Sequence, residues 1–500
     1  MALKLSFRDN SEHESGFHVY RSDAPMDPRN LPKPYKDLGR NSSVVIDEDF
    51  GGIFDQRRYY RVAAYVKGGN RSVSEEAHAG YDGKSPTLNL DFASLQYAVA
   101  QGIGLDLSPR AFSDLITFTR ASGAGRFNAS GQYEWLAADQ PRFDYDPVTG
   151  ECRGLLIEEQ RTNLLTNSST FSERWQSRVN ELAGVRGFAK TTELIAREAT
   201  TGAHQWKGYS ATLASGGTYT MSLLVKAGAS DVLRLKYTGA EGTDPVALFD
   251  LVNGYVIAKG PAISNATIQN YGGGYWLASI TAVQGSATTS YMDIGRGFRT
   301  GSASETTYDG DGVTVQFTVL HNQIEAGSFP TSLIPTTTAQ VTRAADIASV
   351  NVLSPWYNPA QGTLFVEAAP SGFAPAANTG WLRLDDGTTA NVIEIRSWGP
   401  LKSIAAGRNA GGVAGSIIEA NNQLSIGTIS RVALTYDATT GTLAEGGDLL
   451  GSAVYSALPS GINQLRIGLR SGVVPFTGHI KQIRYFPRRL PNTELQAMTA

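Results

Sequence analysis

The sequence has a single cysteine, Cys152, in 500 residues, and this scarcity excludes two kinds of site. One thiol cannot form an intrachain disulfide framework or a metal site built from several cysteines. Because Cys152 has no histidine nearby in the sequence, we expect it to be a structural thiol. The count fits a protein that is made and assembled in a reducing cytosol.

Long apolar runs and an excess of positive charge are also missing. No stretch approaches the roughly 18 consecutive apolar residues of a membrane span, and the segment MALKLSFRDNSEHESG lacks the apolar core of a signal peptide. We therefore expect no membrane insertion. The formal net charge of −3 leaves no surplus of cations to release counterions from a nucleic-acid backbone, so nucleic acid is not an expected partner.

Catalytic and metal-binding motifs are absent as well. The sequence contains neither GxSxG nor GxxxxGK[ST], and its histidines show no HExxH spacing: His13, His18, His78, His204, His321 and His479. The segment Asp309-Gly310-Asp311-Gly312 could offer oxygens to calcium, but a hairpin turn explains it more simply. We expect no metal site and no cofactor.

The residues that are abundant favour strands joined by tight turns. Glycine (54), tyrosine (21) and phenylalanine (19) are frequent, and sustained helical periodicity is rare. The length predicts about three domains.

One stretch, 140–171, predicts a hairpin that organises the chain. Phe143 and Tyr145 alternate with polar residues, the turn Asp146-Pro147-Val148-Thr149-Gly150 follows, and Gly154-Leu155-Leu156-Ile157 returns. We expect this hairpin to set the spacing between domains. Turn and solvent-facing roles are expected for the acidic residues clustered here, which are Asp144, Asp146, Glu151, Glu158 and Glu159.

The same stretch carries a resemblance. The order ITFTRAS, RFDYDP, GLLIE and RTNLL resembles a junction in bacteriophage tail-fibre and related virion proteins. Residues 1–83, with GFHVYRS and RRYYRVAAYV, resemble a fibronectin type III domain, in which Tyr60 would be a core or corner tyrosine. Residues 84–162 form a connector with short strands and the hairpin.

Two further domains are expected from resemblance. Residues 163–349, with YTMSLLVKAG, GYWLASITA and PTSLIPT ending in TRAAD, resemble a carbohydrate-binding-module-like jelly roll. Residues 350–500, ending FTGHIKQIRYFPRRLPNTELQAMTA, resemble a concanavalin-like or laminin-G sandwich with a final helix that Asn492 or Thr493 could cap. The expected fold is all-β, with tandem β-sandwiches joined by a β-rich connector.

The resemblance implies a structural protein of a tailed-phage virion, placed in the tail fibre, tail tip or baseplate and assembled in the host cytoplasm. It would contribute to host-surface glycan recognition and attachment. Implied partners are other virion tail or baseplate proteins and host cell-surface polysaccharide, with the chain as a homotrimer. Two alternatives stay open: a purely structural baseplate or decoration protein that binds only virion chains, and a polysaccharide depolymerase.

Catalysis is not expected. Hydrolases among concanavalin-like sandwiches carry paired acids on one strand, whereas residues 350–500 contain no ExDxxE arrangement, and Glu367 and Glu394 stand alone on their strands. Sugar binding would instead use aromatic ring faces beside polar side chains. The candidates for carbohydrate binding are Tyr271, Tyr275, Trp381 and Trp398. Trp206, Tyr209 and Tyr291 are further aromatic candidates for sugar contact. Trp276 is another, but its strand position favours a place in the core.

Overall fold

The computed structural model describes residues 2–10, 13–69, 71–174, 177–197, 199–243, 245–286, 289–299, 307–373, 378–398, 403–415, 418–419, 424–470 and 474–500. Over these ranges the chain is built almost entirely from antiparallel strands, which confirms the all-β prediction. Most strands belong to β-sandwiches.

The amino-terminal module pairs β3-β2-β5-β6, with β7 also on β5, and pairs β1 with β4. Tyr60 lies in its core, as expected, and its hydroxyl donates to the buried Asp47 Oδ2 at 2.6 Å. The strands are β1 (Leu3–Ser6), β2 (Gly16–Ser22), β3 (Lys36–Leu38), β4 (Val44–Asp47), β5 (Arg58–Tyr65), β6 (Arg71–Val73) and β7 (Ala77–Ala79).

The next segment contains the predicted hairpin, formed by its last two strands with a bulge between Asp144 and Tyr145. Gly150 has φ +74° at the turn, a left-handed conformation that glycine adopts without steric cost. The elements are β8 (Leu88–Asp91), β9 (Gln96–Gln101), β10 (Asp106–Arg110), α1 (Phe112–Leu115), β11 (Thr117–Thr119), β12 (Ala124–Phe127), β13 (Tyr133–Leu136), β14 (Phe143–Tyr145) and β15 (Cys152–Ile157).

The jelly roll packs two sheets, β17-β21-β29-β24-β25-β26 with β22 on β29, and β18-β19-β31-β23-β28-β27. Its strands, with the β16–β32 pair at its base, are β16 (Arg161–Asn163), β17 (Ser172–Arg174), β18 (Ser177–Ala183), β19 (Lys190–Ala196), β20 (Ala199–Ala203), β21 (Gln205–Lys207), β22 (Ala211–Thr212), β23 (Thr218–Ala227), β24 (Val232–Thr238), β25 (Val246–Asp250), β26 (Tyr255–Lys259), β27 (Asn265–Asn270), β28 (Tyr275–Val283), β29 (Thr289–Arg296), β30 (Thr307–Gly310), β31 (Val315–Ala326) and β32 (Val341–Arg343).

The carboxy-terminal sandwich packs two larger sheets around one apolar core. Its elements from this part of the chain are β33 (Ile347–Val350), β34 (Gln361–Gly372), β35 (Thr379–Asp385), β36 (Val392–Trp398), β37 (Ser403–Ala410), β38 (Val413–Ala414), β39 (Ile418–Glu419), β40 (Ser430–Asp437), β41 (Thr440–Glu445), β42 (Asp448–Val454), β43 (Gln464–Ile467), β44 (Leu469–Arg470), β45 (Val474–Pro475), β46 (Thr477–Phe486) and α2 (Asn492–Thr499).

Strand pairing inserts the jelly roll into this sandwich. β46 is bonded on one edge to β34 and on the other to β8 and β15, and β11 pairs with β33 in the second sheet. By hydrogen bonding, therefore, the strands between 88 and 157 group with those between 347 and 486, except β12 and β13, which pair with each other. The domain limits at 83, 162 and 349 stay predictions, and sheet membership runs across them.

The final helix begins at Asn492, as the sequence suggests, but its start differs in detail. Pro491 occupies the N-cap position, so neither Asn492 nor Thr493 caps the helix with its side chain. Glu494 lies in the first turn, where the helix dipole favours an acid. In the described parts of the chain, no helix has the length and apolarity needed to cross a membrane.

Candidate functional site

The distinctive sequence motifs converge on one buried charge cluster, here called the junction network: Arg120, Arg142, Glu158, Arg343 and Asp346. They come from ITFTRAS, PRFDYDP, GLLIE and TRAAD, and each side chain is at most 3% exposed. Arg120 Nη1 donates to Asp346 Oδ1 at 3.0 Å, and Arg142 bridges Asp346 and Glu158. The network holds the points where the chain leaves the carboxy-terminal sandwich for the jelly roll and returns from it.

The carboxylate of Glu158 has four donors around it. Its Oε2 lies 2.7 Å from Arg142 Nη1 and 2.8 Å from Arg343 Nη1, and Ser332 donates both its hydroxyl (2.6 Å) and its backbone N–H (2.7 Å). Burial alone would raise the pKa of Glu158, but Arg343 and Arg142 hold that pKa at about 2. The expected solvent-facing role of this residue is therefore wrong, because its carboxylate is a buried structural anion.

A cleft of about 930 Å³ opens beside the network, between the jelly roll and the carboxy-terminal sandwich. We call it the interdomain cleft. One wall is the edge strand β27 with the loop that follows it, and the opposite wall includes Ser371, Phe373, Ile426 and His479. The β14–β15 hairpin and the segment 328–333 complete its lining.

Aromatic rings line part of this cleft. Tyr271, in the glycine-bearing loop between β27 and β28, is half-buried and meets the ring of Phe127 edge-on at 5.1 Å. Burial raises the pKa of the Tyr271 hydroxyl, so it stays protonated near neutral pH. Phe329, in the segment 328–333, and Phe373, just after β34, also line the cleft, but both side chains are buried. The partly exposed ring of Tyr271 is therefore the apolar surface on which a pyranose face can stack.

Polar side chains line the neighbouring wall. Asn265 and Gln269 lie on β27, which is hydrogen-bonded to β28, and both residues line the cleft. Neither side-chain amide is hydrogen-bonded to any residue in the described ranges, so both keep donors and acceptors for a ligand. Thr267, between them, already bonds Ser279 at 2.6 Å.

An acid–histidine pair from β14 and β46, two strands of the same sheet, also lines the cleft. Asp144 Oδ2 lies 2.9 Å from His479 Nε2, and Asp144 Oδ1 accepts from the Phe127 N–H at 2.8 Å. Asp144 is thus buried and not the turn or surface acid expected from its neighbours in sequence. By contrast, Asp146 has the expected turn role, since its Oδ1 accepts from the backbone N–H groups of Val148 and Thr149.

The four proposed carbohydrate contacts fall in different environments. Tyr271 lines the interdomain cleft. Tyr275, on β28, is buried in the apolar cluster between the jelly roll and the β12–β13 hairpin, with Phe127 and Leu224. Trp381 is fully buried and packs against Phe476 at 5.2 Å, so no ring face is offered to a ligand. We assign Tyr275 and Trp381 to the core for this reason.

Trp398 differs, because it is half-buried at the end of β36, with the Arg396 guanidinium 5.1 Å from its ring centre. Among the other aromatic residues, Trp206 is fully buried and Tyr209 is exposed. Tyr291 has the Lys207 ammonium 4.1 Å from its ring, and Trp276 packs at the jelly-roll core, as favoured.

The remaining candidates have structural surroundings. Asp311 Oδ1 accepts from the N–H groups of Val313 and Thr314, the geometry of a hairpin turn. Cys152 is half-buried, and burial raises the pKa of its thiol. Within the described ranges, no group of three or more His, Cys, Asp and Glu side chains is arranged to hold a metal.

Comparisons with known structures find similarity at low identity. A CBM40 module of the Ruminococcus gnavus IT-sialidase, bound to α2,3-sialyllactose, is 19% identical with a TM-score of 0.25, covering 29% of this chain and 84% of that chain. Domain 4 of AbnA, a GH43 extracellular arabinanase from Geobacillus stearothermophilus in complex with arabinotriose, is 11% identical with a TM-score of 0.28, covering 35% and 82%.

A larger match is Trypanosoma rangeli sialidase, at 11% identity and a TM-score of 0.25, covering 88% of this chain and 66% of that chain. No family model and no curated protein matches the sequence. At these TM-scores the similarities assign neither a family nor a function.

The sequence suggests Tyr271, which lines the interdomain cleft and whose role in binding stays a prediction, but it does not suggest the free amides beside it or the Asp144–His479 pair. The glycine-rich loop marked Tyr271 as a surface aromatic. Nothing in the sequence marks Asp144 and His479 as neighbours, because they are 335 residues apart. The alternation along β27 was a usable signal for Asn265 and Gln269, since every second side chain of an edge strand shares one face.

Proposed function

We propose that this protein binds a saccharide in the interdomain cleft without cleaving it, as part of a tailed-phage virion. The observation that carries the binding proposal is the composition of the cleft, where the partly exposed ring of Tyr271 and the unpaired side-chain amides of Asn265 and Gln269 line the same space. Ring faces stack on the apolar face of a sugar, and amides exchange hydrogen bonds with its hydroxyls. The volume is at the upper end of the about 300–1,000 Å³ typical of ligand pockets.

The acids of the cleft support binding without hydrolysis. A glycosidase needs a carboxylic acid that is protonated near the working pH and a second carboxylate. Glu158 has its pKa lowered to about 2 and both of its oxygens occupied by donors. Asp144 has both carboxylate oxygens engaged by Phe127 and His479.

The virion assignment rests on the resemblance of the junction motifs. Those motifs supply the junction network, which fixes the jelly roll to the sandwich in which it is inserted. A rigid pair of modules suits a protein that presents a binding surface at the end of an assembly. We place the chain in the tail fibre, tail tip or baseplate, as a homotrimer in contact with other virion proteins.

The test measures binding of the full-length protein to polysaccharide fractions from host envelopes by calorimetry. Tyr271→Ala and Gln269→Ala should each weaken binding about tenfold or more, because each removes one kind of contact. Tyr255→Ala is the matched control, since Tyr255 is a tyrosine on the same jelly roll that is 48% exposed and does not line the cleft. Its affinity should equal that of the wild type.

The alternatives have different outcomes in the same experiment. No saturable binding to any fraction would favour the purely structural role, in which the sandwiches contact only virion chains. Release of reducing ends during incubation would favour a depolymerase. Locating the chain in intact particles by electron microscopy tests the tail assignment separately, since a capsid position would contradict it.

A further inference from the structure

The two outer faces of the carboxy-terminal sandwich are unlike each other. Helix α2 covers one of them, where Phe365, Phe486, Leu490 and Leu495 form an apolar cluster beneath it. The outer face of the other sheet, which contains β35, β36 and β43, carries charged side chains instead. We call this surface the arginine face, defined by Arg383, Asp385, Glu394, Arg396, Arg466 and Arg470.

The strand register places these residues side by side. Arg383 on β35 is opposite Glu394 on β36 and Arg466 on β43, and Asp385 is opposite Gln464. Arg396 is two residues beyond Glu394 on the same strand, so both point to the same side of the sheet. The face is therefore continuous across three strands.

Positive charge exceeds negative charge on this face. Glu394 contacts Arg383 at 3.2 Å, Arg396 at 3.1 Å and Arg470 at 3.3 Å. Asp385 contacts Arg383 and, at 2.9 Å, Arg466. Four guanidinium groups thus share two carboxylates, an excess of two positive charges, which Glu419 at the margin reduces to one.

Arg396 is the member of the arginine face with two buried donor atoms left unused. It is only 4% exposed, yet its Nε and Nη2 have no hydrogen-bond partner among the described residues. Burial lowers the pKa of Arg396, although Glu394 opposes the effect. A buried guanidinium with unused donors is costly, and an anion that accepts from them would offset that cost.

The half-buried indole of Trp398 adjoins the same guanidinium, with its ring centre 5.1 Å from Arg396 Cζ. Arg470 is one-third exposed and contacts Glu394, the carboxylate that Arg396 also contacts. Carboxylates match the planar guanidinium fork, and an indole offers a stacking surface for a sugar ring. We propose that the arginine face is a second binding site, specific for saccharides that carry a carboxylate, such as uronic or nonulosonic acids.

This site is separate from the interdomain cleft, and different variants test the two. The experiment titrates full-length protein with a panel of uronic-acid and nonulosonic-acid oligosaccharides, each paired with its carboxyl-reduced form. We expect at least one acidic member to bind at least tenfold more tightly than its reduced form. Arg470→Gln and Trp398→Ala should each weaken that binding at least fivefold, while Tyr271→Ala leaves it unchanged.

Arg431→Gln is the matched control, because Arg431 is a partly exposed arginine paired with Glu367 at 3.2 Å on the sandwich's other sheet. It should leave the affinity unchanged. Near-ultraviolet circular dichroism confirms that each variant is folded. The proposal is overturned if every acid binds no better than its reduced form, if Arg470→Gln has no effect, or if Arg431→Gln weakens binding equally, since the last result indicates unspecific charge attraction.

Discussion

Replacing Glu158 by glutamine should destabilise the protein more than any exchange of a surface carboxylate. The side chain is 3% exposed and accepts from two arginines and from Ser332. Glutamine keeps the shape but removes the charge, leaving three buried arginines with Asp346 as their only carboxylate in the network. Removing one partner of a buried ion pair costs about 3–5 kcal/mol.

The pKa of Glu158 gives an independent value for the free energy that its charge contributes to folding. A fall from the ordinary 4.5 to about 2 corresponds to roughly 3 kcal/mol, because each pKa unit is about 1.4 kcal/mol. Since the folded-state pKa is lowered, this stability is fully present above pH 4.5 and is lost as the pH falls toward 2. The difference between wild type and Glu158→Gln should therefore shrink over that window.

Urea unfolding at pH 7, followed by tryptophan fluorescence, measures the effect. With a slope of about 3 kcal/mol per molar urea, the midpoint of the affected transition should fall by about 1 M. Glu494→Gln is the control, because the Arg488–Glu494 pair is solvent-exposed and worth about 0–1 kcal/mol. A loss below about 1 kcal/mol for Glu158→Gln, or equal losses in both variants, would refute the role of the junction network.

Two other predictions concern the hairpin turn and a buried histidine. Gly150→Val should strain the turn by about 1–2 kcal/mol, because φ is +74° and a Cβ would lie 2.8 Å from the Ala129 carbonyl oxygen. Small-angle scattering should show altered domain arrangement or assembly with little change in saccharide affinity; lost affinity with unchanged assembly would contradict this. Burial lowers the pKa of His321 from 6.5 to about 4, so the unfolded chain takes up a proton first and stability falls by about 3 kcal/mol as the pH drops from 6.5 to 4. His321→Gln should flatten the plot of unfolding free energy against pH in this range. The raised pKa of Glu325 acts in the opposite direction, but it does so in both proteins. An unchanged plot would show that His321 does not titrate there.

The insertion of the jelly roll gives the interdomain cleft its rigidity. A jelly roll attached by one linker could rotate against its neighbour, whereas here the chain crosses twice, through β16 and β32, which pair with each other. The junction network and the apolar cluster around Phe127 and Tyr133 hold the same boundary. These contacts restrict rotation of the jelly roll against the sandwich, and a restricted cleft would lower the entropy lost on binding the proposed saccharide.

The local sequence pattern was sufficient to predict the strands of this protein and its central hairpin. Alternation predicted Phe143 and Tyr145 on one side of a strand, and proline and glycine located the turn that follows. Such features depend on neighbours in sequence, where side-chain period and backbone conformation are set directly. The glycines of its loop likewise suggest Tyr271 as a contact residue; the structure places it in the cleft, and its role in binding stays a prediction.

Only the tertiary structure decided which strands became neighbours. β8 pairs with β46 across about 390 residues, and Arg142 meets Asp346 across the whole inserted jelly roll. Alternation states which face of a strand is buried, but it does not state which edge meets which, because backbone hydrogen bonding is the same for every sequence. For the same reason the aromatic pattern could not separate Trp381, enclosed in the core, from Trp398, which lies at the arginine face.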